Sequence, residues 1–173
     1  RNVITSIKNH YELDDGKALE WMINSKKFIY DVARVEQYGY SDFQFISSWS
    51  TNYKSWRIQK EIPIKIIRYE DLLKETYVVF KDVIEFINKT LHIKEKINKD
   101  KLKNSVGSTF FDKLKNDEKN NGFVEAVPSK NNKDKIPFFN LGPDNHWKKI
   151  LDKDQQTKLT DMFKEDLIEL GYK

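Results

Sequence analysis

The stretch "IPIKIIRYEDL", residues 62–72, decides how the chain is read. Pro63 opens it, Ile64, Ile66 and Ile67 fill it, and it runs straight into Arg68, Tyr69, Glu70 and Asp71. A short, nearly unbroken apolar run predicts a strand over 63–68 covered on both faces, the pattern of a parallel sheet. Acids just beyond it suit the positive N-terminal end of a following helix, which Asp71 is placed to cap. That plain reading accounts for Glu70 and Asp71 but leaves Tyr69 unexplained. The competing reading is that the strand's carboxyl end carries a site.

A strand hidden on both faces needs neighbours for its N–H and C=O groups. No second convincing strand shows, so the partners are expected ahead of Arg1 or in weaker strands within the chain. The other periodic segments read as helices. Residues 2–12 form a poor one by propensity, and 17–35 carries Leu19, Met22, Ile23, Ile29, Val32 and Ala33 at helical spacing. In 42–60, Phe45, Trp49, Tyr53 and Trp56 make an aromatic stripe, which reads as core. A helix after Asp71 carries Leu72, Val79, Val83 and Phe86 on one face, and 110–119 is closed by Asn120, Asn121 and Gly122. Residues 92–105 are lysine-rich and read as solvated, and 127–135, "VPSKNNKDK", as a mobile loop. In the last helix Asp152 and Gln155 resemble a capping box, Leu159, Met162, Phe163, Leu167 and Leu170 form the stripe, and Gly171 stands at the C-terminal cap.

At 173 residues the chain suits a single domain, 1–173, with a real core. Hydrophobic residues at 38% place it among globular chains despite 34% charge. A net charge of +4 suits an anionic partner, yet 31 basic and 27 acidic residues are interleaved. A nucleic-acid module needs its basic residues on one face, so that reading ranks last. Without cysteine, disulfides and thiolate zinc sites are excluded. No apolar run approaches the ~20 residues of a membrane span.

Further stretches, in chain order, carry a resemblance. "RNVITSIKNHY" at the start resembles an Arg-Asn-Pro-x-Asp-x-x-x-Ser motif, and "WSTNYKSW", 49–56, a Trp-x-x-His-x-x-x-Trp segment. "IPIKIIRYEDL" is similar to a strand ending in Tyr-Glu-Asp. "STFFDKLKNDEKNNGFVEA" resembles a Thr-Ser-Phe-x-x-Met/Leu-Lys segment with a downstream Gly-Phe, and "FFNLGPDNHWKKIL" a Phe-x-Arg-x-Gly-x-x-Gly-x-Trp loop. Together they resemble the carboxyl-terminal half of a cytosolic-type sulfotransferase, which implies a cytoplasmic protein. The fold implied is α/β, a P-loop-like parallel sheet flanked by helices, incomplete here and helix-rich as given. The donor implied is 3′-phosphoadenosine-5′-phosphosulfate (PAPS), with 3′-phosphoadenosine-5′-phosphate as product and a small-molecule hydroxyl or amine as acceptor.

The resemblance assigns nucleotide contacts to Arg1, Asn9, Tyr69, Thr109, Phe111, Leu114, Asn140, Leu141 and Gly142. Arg1 matches the arginine on the 3′-phosphate, a task for a fixed fork of donors, and Asn9 stands where the motif has serine. Tyr69 matches the tyrosine beside the adenine, where a flat ring with a polar tip suits a purine. Thr109, Phe111 and Leu114 surround the same base. The plain alternatives are a chain-end arginine, a satisfied core tyrosine and a core phenylalanine. Gly142 and Trp147 are in register, but Asn140 replaces the loop arginine and Leu141 a frequent lysine. Lys130, Lys133, Lys135 and Lys148 are candidates for the lost charge, and Asn52 replaces the histidine of the tryptophan segment. The family's phosphosulfate loop, its lysine and its histidine base match nothing here, and His10, His92 and His146 fall on no catalytic position. The resemblance thus names no catalytic residue and implies an upstream half as partner. The alternative is a non-catalytic domain that binds the nucleotide or a partner.

Overall fold

The computed structural model describes residues 1–30, 32–131 and 134–172, with the side chains of Val32 and Ala33 outside the description. The chain divides into two compact units, Arg1–Gln59 with Asn145–Lys173, and Lys60–Asp144. No helix is long and apolar enough to cross a membrane.

The first unit begins with α1 (Val3–Tyr11) and α2 (Asp15–Ile23). The doubtful helix at 2–12 forms because its apolar side packs: Ile4 joins Ala18 and Met22 in the core. Asp14 caps α2 by accepting from the Lys17 amide at 2.8 Å. The expected helix over 17–35 is corrected at Ile23. Asn24 leaves the helical conformation (φ −71°, ψ 104°), and the chain continues into β1 (Phe28–Tyr30) and α3 (Val32–Tyr38). β2 (Phe43–Phe45) pairs antiparallel with β1, Phe28 opposite Phe45 and Tyr30 opposite Phe43.

The aromatic stripe therefore splits between two elements. Phe45 lies on β2 at 59% exposure, and Trp56, on α4 (Trp49–Arg57), is 61% exposed. Trp49 does reach the core, meeting Phe163 edge-on with ring centroids 5.2 Å apart. The rest of the core comes from α9 (Trp147–Ile150), α10 (Lys153–Met162) and α11 (Lys164–Glu169). Leu151, Leu159, Phe163 and Leu167 are buried there, while Met162 is 45% exposed and leaves the predicted stripe. The capping box at Asp152 and Gln155 is complete. Gly171 (φ +75°) closes α11, with the Tyr172 amide donating to the Leu167 carbonyl at 2.8 Å.

In the second unit, 63–68 forms no strand. Ile62, Ile66 and Ile67 are 60%, 59% and 42% exposed, and among the described residues no backbone group of 62–67 finds a ladder partner. The reason is the one the sequence raised: without neighbours to accept its hydrogen bonds, an apolar run has no sheet to join. Among the described residues the sheet is the antiparallel pair β1–β2, and no parallel sheet is seen. The chain is thus helix-rich α/β with a small sheet.

Arg68, not Asp71, stands at the N-cap of α5 (Tyr69–Lys74), with Glu70 and Asp71 in its first turn. Glu75 (φ −136°) separates α5 from α6 (Thr76–Thr90). The lysine-rich 92–105 enters a capped helix, α7 (Lys99–Ser108), with Asn98 at its N-cap and Leu102 buried. α8 (Phe111–Asn121) ends at Gly122 (φ +75°), as expected. Beyond it, Pro128 and Lys135 form an isolated antiparallel bridge at the ends of the 127–135 segment. A short 3-10 turn, Gly142–Asp144, closes the unit.

A buried acid ties α11 to α4. Asp166 is buried and accepts from Ser50 (2.5 Å), Tyr53 (2.8 Å) and Lys54 (2.6 Å). Burial alone would raise its carboxyl, but the bonds from Lys54, Ser50 and Tyr53 outweigh it and hold the group below the ordinary range. Burial, then hydrogen bonds to Asp166 and Glu169, push the Tyr53 phenol up. A carboxyl lowered on folding stabilises the protein above the unfolded value of about 3.9, and that contribution is lost as pH falls through the folded value. Asp166→Ala is expected to cost about 1–3 kcal/mol at pH 7 and to flatten the acid limb of stability against pH, measured by urea unfolding from pH 7 to pH 3.

Candidate functional site

Three of the residues expected to contact a nucleotide converge in the second unit. Tyr69 opens α5, and its hydroxyl donates to the Gly142 carbonyl at 3.1 Å across 73 positions of sequence. Its ring keeps 42% exposure, and burial followed by the charge of Glu70 raises its phenol. Gly142 has φ +50°, a conformation side chains rarely adopt, and a Cβ there would run into the ring of Phe111. A glycine is required at 142 on both counts. Tyr69 and Phe111 thus meet at Gly142, one through a hydrogen bond to its carbonyl and the other with its ring where a side chain would stand.

The loop that carries Gly142 is held by α8. Glu118 accepts the Phe138 amide at 2.7 Å and the Phe139 amide at 2.9 Å, so both carboxylate oxygens are engaged. Lys115 donates to the Asn140 carbonyl at 2.9 Å, with its ammonium 5.5 Å from the Phe111 ring centre. Phe139 packs edge-on toward Phe111 at 6.2 Å and tilted on Phe123 at 5.1 Å. Phe111, Lys115 and Glu118 are four and three residues apart, one face of a helix. That spacing was readable: Lys115 is the lysine that closes the Thr-Ser-Phe-x-x-Met/Leu-Lys likeness, where it has no assigned role, and Glu118 follows it by one turn.

The other expected contacts are less gathered. Thr109 follows α7 and shares its hydroxyl between the carbonyls of Ser105 and Val106, 3.1 Å from each. Leu114 is half-buried on α8, one turn from Phe111, and Asn140 and Leu141 are half-buried in the loop. In the first unit, Arg1 lays its guanidinium 4.3 Å from the ring centre of Trp147. The neighbouring Asn2 side chain accepts the Trp147 amide at 3.1 Å. Asn9 lies in the last turn of α1, while Arg1 precedes the N-cap Asn2, so these two do not share one short loop.

Of the lysines considered for the missing charge, Lys148 sits over Trp147 in the first unit, 5.6 Å from the ring centre. Lys135 lies in the bridge with Pro128, Lys130 is exposed, and Lys133 lies outside the described residues. A separate shallow depression lined by Tyr77, Lys81, Glu85 and Lys96 mixes charges, Lys81 already pairing with Glu85 at 2.7 Å. It offers no single-sign field to an anion.

The family model described as the sulfotransferase domain matches residues 14–171. No curated protein and no solved structure matches the chain.

Gly142→Ala is expected to destabilise the second unit by about 1–3 kcal/mol, through a strained positive φ and displacement of Phe111. Chemical denaturation measures it, and Tyr69→Phe, which removes one exposed hydrogen bond, is expected to cost no more than about 1 kcal/mol.

Proposed function

The chain belongs to the sulfotransferase family, and from that premise we propose that it forms the nucleotide-binding part of an enzyme that transfers a sulfuryl group from PAPS to a hydroxyl or amine. The observation that carries this reading is the patch of Tyr69, Gly142 and Phe111. Two partly exposed rings that meet at one glycine suit a flat purine, which gains stacking without needing charge. Tyr69 and Phe111 take the adenine, Thr109 and Leu114 border it, and Asn140, Leu141 and Gly142 line the turn beside it. For Arg1 and Asn9, which lie in the first unit, the role proposed is a phosphate contact, Asn9 as a neutral donor and Arg1 as a planar cation already set against an aromatic face.

The donor supplies the sulfuryl group, whose bond to the bridging oxygen breaks as the acceptor's oxygen or nitrogen bonds to sulfur. The residues in hand bind and orient the nucleotide end of that donor. The phosphosulfate-binding lysine and the general base have no counterpart among the 173 residues, so we place them, with the strands that would pair with 63–68 in a P-loop-like parallel sheet, in an upstream half of the enzyme. The compartment proposed is the cytoplasm, on the likeness to cytosolic-type members. The loss of charge at Asn140 and Leu141 supports a second reading, in which the same patch binds the bisphosphate nucleotide without catalysis.

Titration calorimetry with 3′-phosphoadenosine-5′-phosphate is expected to show one saturable site. Phe111→Ala and Tyr69→Ala should each weaken it by on the order of 1–3 kcal/mol, the worth of one base–aromatic stack. An absence of binding would remove both readings, and binding unaffected by either substitution would remove the assigned site.

A further inference from the structure

We infer that Lys115 is the cation that holds a phosphate group of the bound nucleotide over the Asn140–Gly142 turn, taking the place of a charge the loop itself lacks. The inference rests on the nucleotide reading of the Tyr69–Phe111 patch and adds to it a residue that determines selectivity for phosphorylated over bare adenosine. Three observations converge on Lys115.

First, its ammonium is anchored at the turn. One of its three donors goes to the Asn140 carbonyl at 2.9 Å, which leaves two for a ligand. Second, it stands beside the proposed base platform, 5.5 Å from the Phe111 ring centre, so an adenosine on that ring brings its phosphates within reach of the same side chain. Third, the turn itself presents unspent donors. Among the described residues the amides of Leu141 and Gly142 have no acceptor, and Gly142 at φ +50° is where backbone N–H groups can form a concave nest for an anion. An ammonium and two free amides at one turn can replace an arginine fork in charge, though not in its planar geometry.

Among the described residues no acid forms an ion pair with Lys115: of the two that stand three residues from it on the same helix, Asp112 is exposed and Glu118 has both oxygens engaged by the amides of Phe138 and Phe139. Its role is to hold the turn in place while Lys115 faces the ligand.

The test titrates the full chain with 3′-phosphoadenosine-5′-phosphate and, separately, with adenosine. Lys115→Gln is expected to weaken bisphosphate binding on the order of 10-fold and to weaken adenosine binding far less, the loop still being held by Glu118. Lys115→Arg should retain most of the bisphosphate affinity. The salt dependence of bisphosphate binding should also become shallower in the glutamine variant. Equal losses for both ligands would mean that Lys115 only shapes the loop, and no loss for the bisphosphate would mean that it does not meet the phosphate. Either result overturns the assignment while leaving the base platform standing. An unsubstituted chain that binds neither ligand overturns the nucleotide reading and this assignment with it.

Discussion

A phenol hydroxyl on a glycine carbonyl, with a second ring pressed where a side chain would otherwise be, is the contact on which the functional account depends. Tyr69 starts one helix, Phe111 starts another, and Gly142 lies in a loop beyond both. Nothing local in the chain brings these together. They meet because α8 pins the loop from below, with Glu118 at the Phe138–Phe139 amides and Lys115 at the Asn140 carbonyl. Charge-assisted bonds to backbone groups are the stronger kind, and they add to the packing of Phe138 and Phe139 on Phe123 in holding the loop.

The same unit shows what happens when one level of structure lacks its partner. Residues 63–68 have the composition of a fully covered strand and end in a helix at Tyr69, yet the isoleucines stay exposed and no ladder forms. β-propensity expresses fit to a pleated, packed surface more than any preference of the isolated backbone. Helix α6 tells a related story. Its apolar positions are half-buried or exposed, with Phe80 at 38% and Ile87 at 43% exposure. The first unit, by contrast, closes a dense core around Ile4, Met22, Leu159 and Phe163.

Where chemistry at single residues sets a boundary, the sequence was a good guide. The Asp152–Gln155 box, the Gly122 stop and the Gly171 cap all stand where their side chains, or the lack of one, require. Periodicity was a poorer guide where aromatic residues dominate. Phe43 and Phe45 alternate as a strand needs, but Phe45, Trp49, Tyr53 and Trp56 also repeat like a helix, and the chain uses both patterns in succession. Asp71 looked like a cap because it is acidic and near a helix start, yet the backbone turns helical two residues earlier. For the site, the resemblance supplied roles for Tyr69, Phe111 and Gly142; it spans Lys115, the closing lysine of the Thr-Ser-Phe-x-x-Met/Leu-Lys likeness, without giving it a role, and it does not reach Glu118. Their partners are main-chain atoms, which a sequence motif does not reveal.

The account's central claim is that an adenosine nucleotide lies against Tyr69 and Phe111. The most direct measurement is photolabelling of the intact chain with an azido-adenosine 3′,5′-bisphosphate, followed by mass spectrometric mapping of the modified residues. The account predicts saturable labelling confined to the peptides that carry Tyr69, Phe111 or the 140–142 turn, competed away by unmodified 3′-phosphoadenosine-5′-phosphate. Competable labelling found only elsewhere, or none at all, would contradict it.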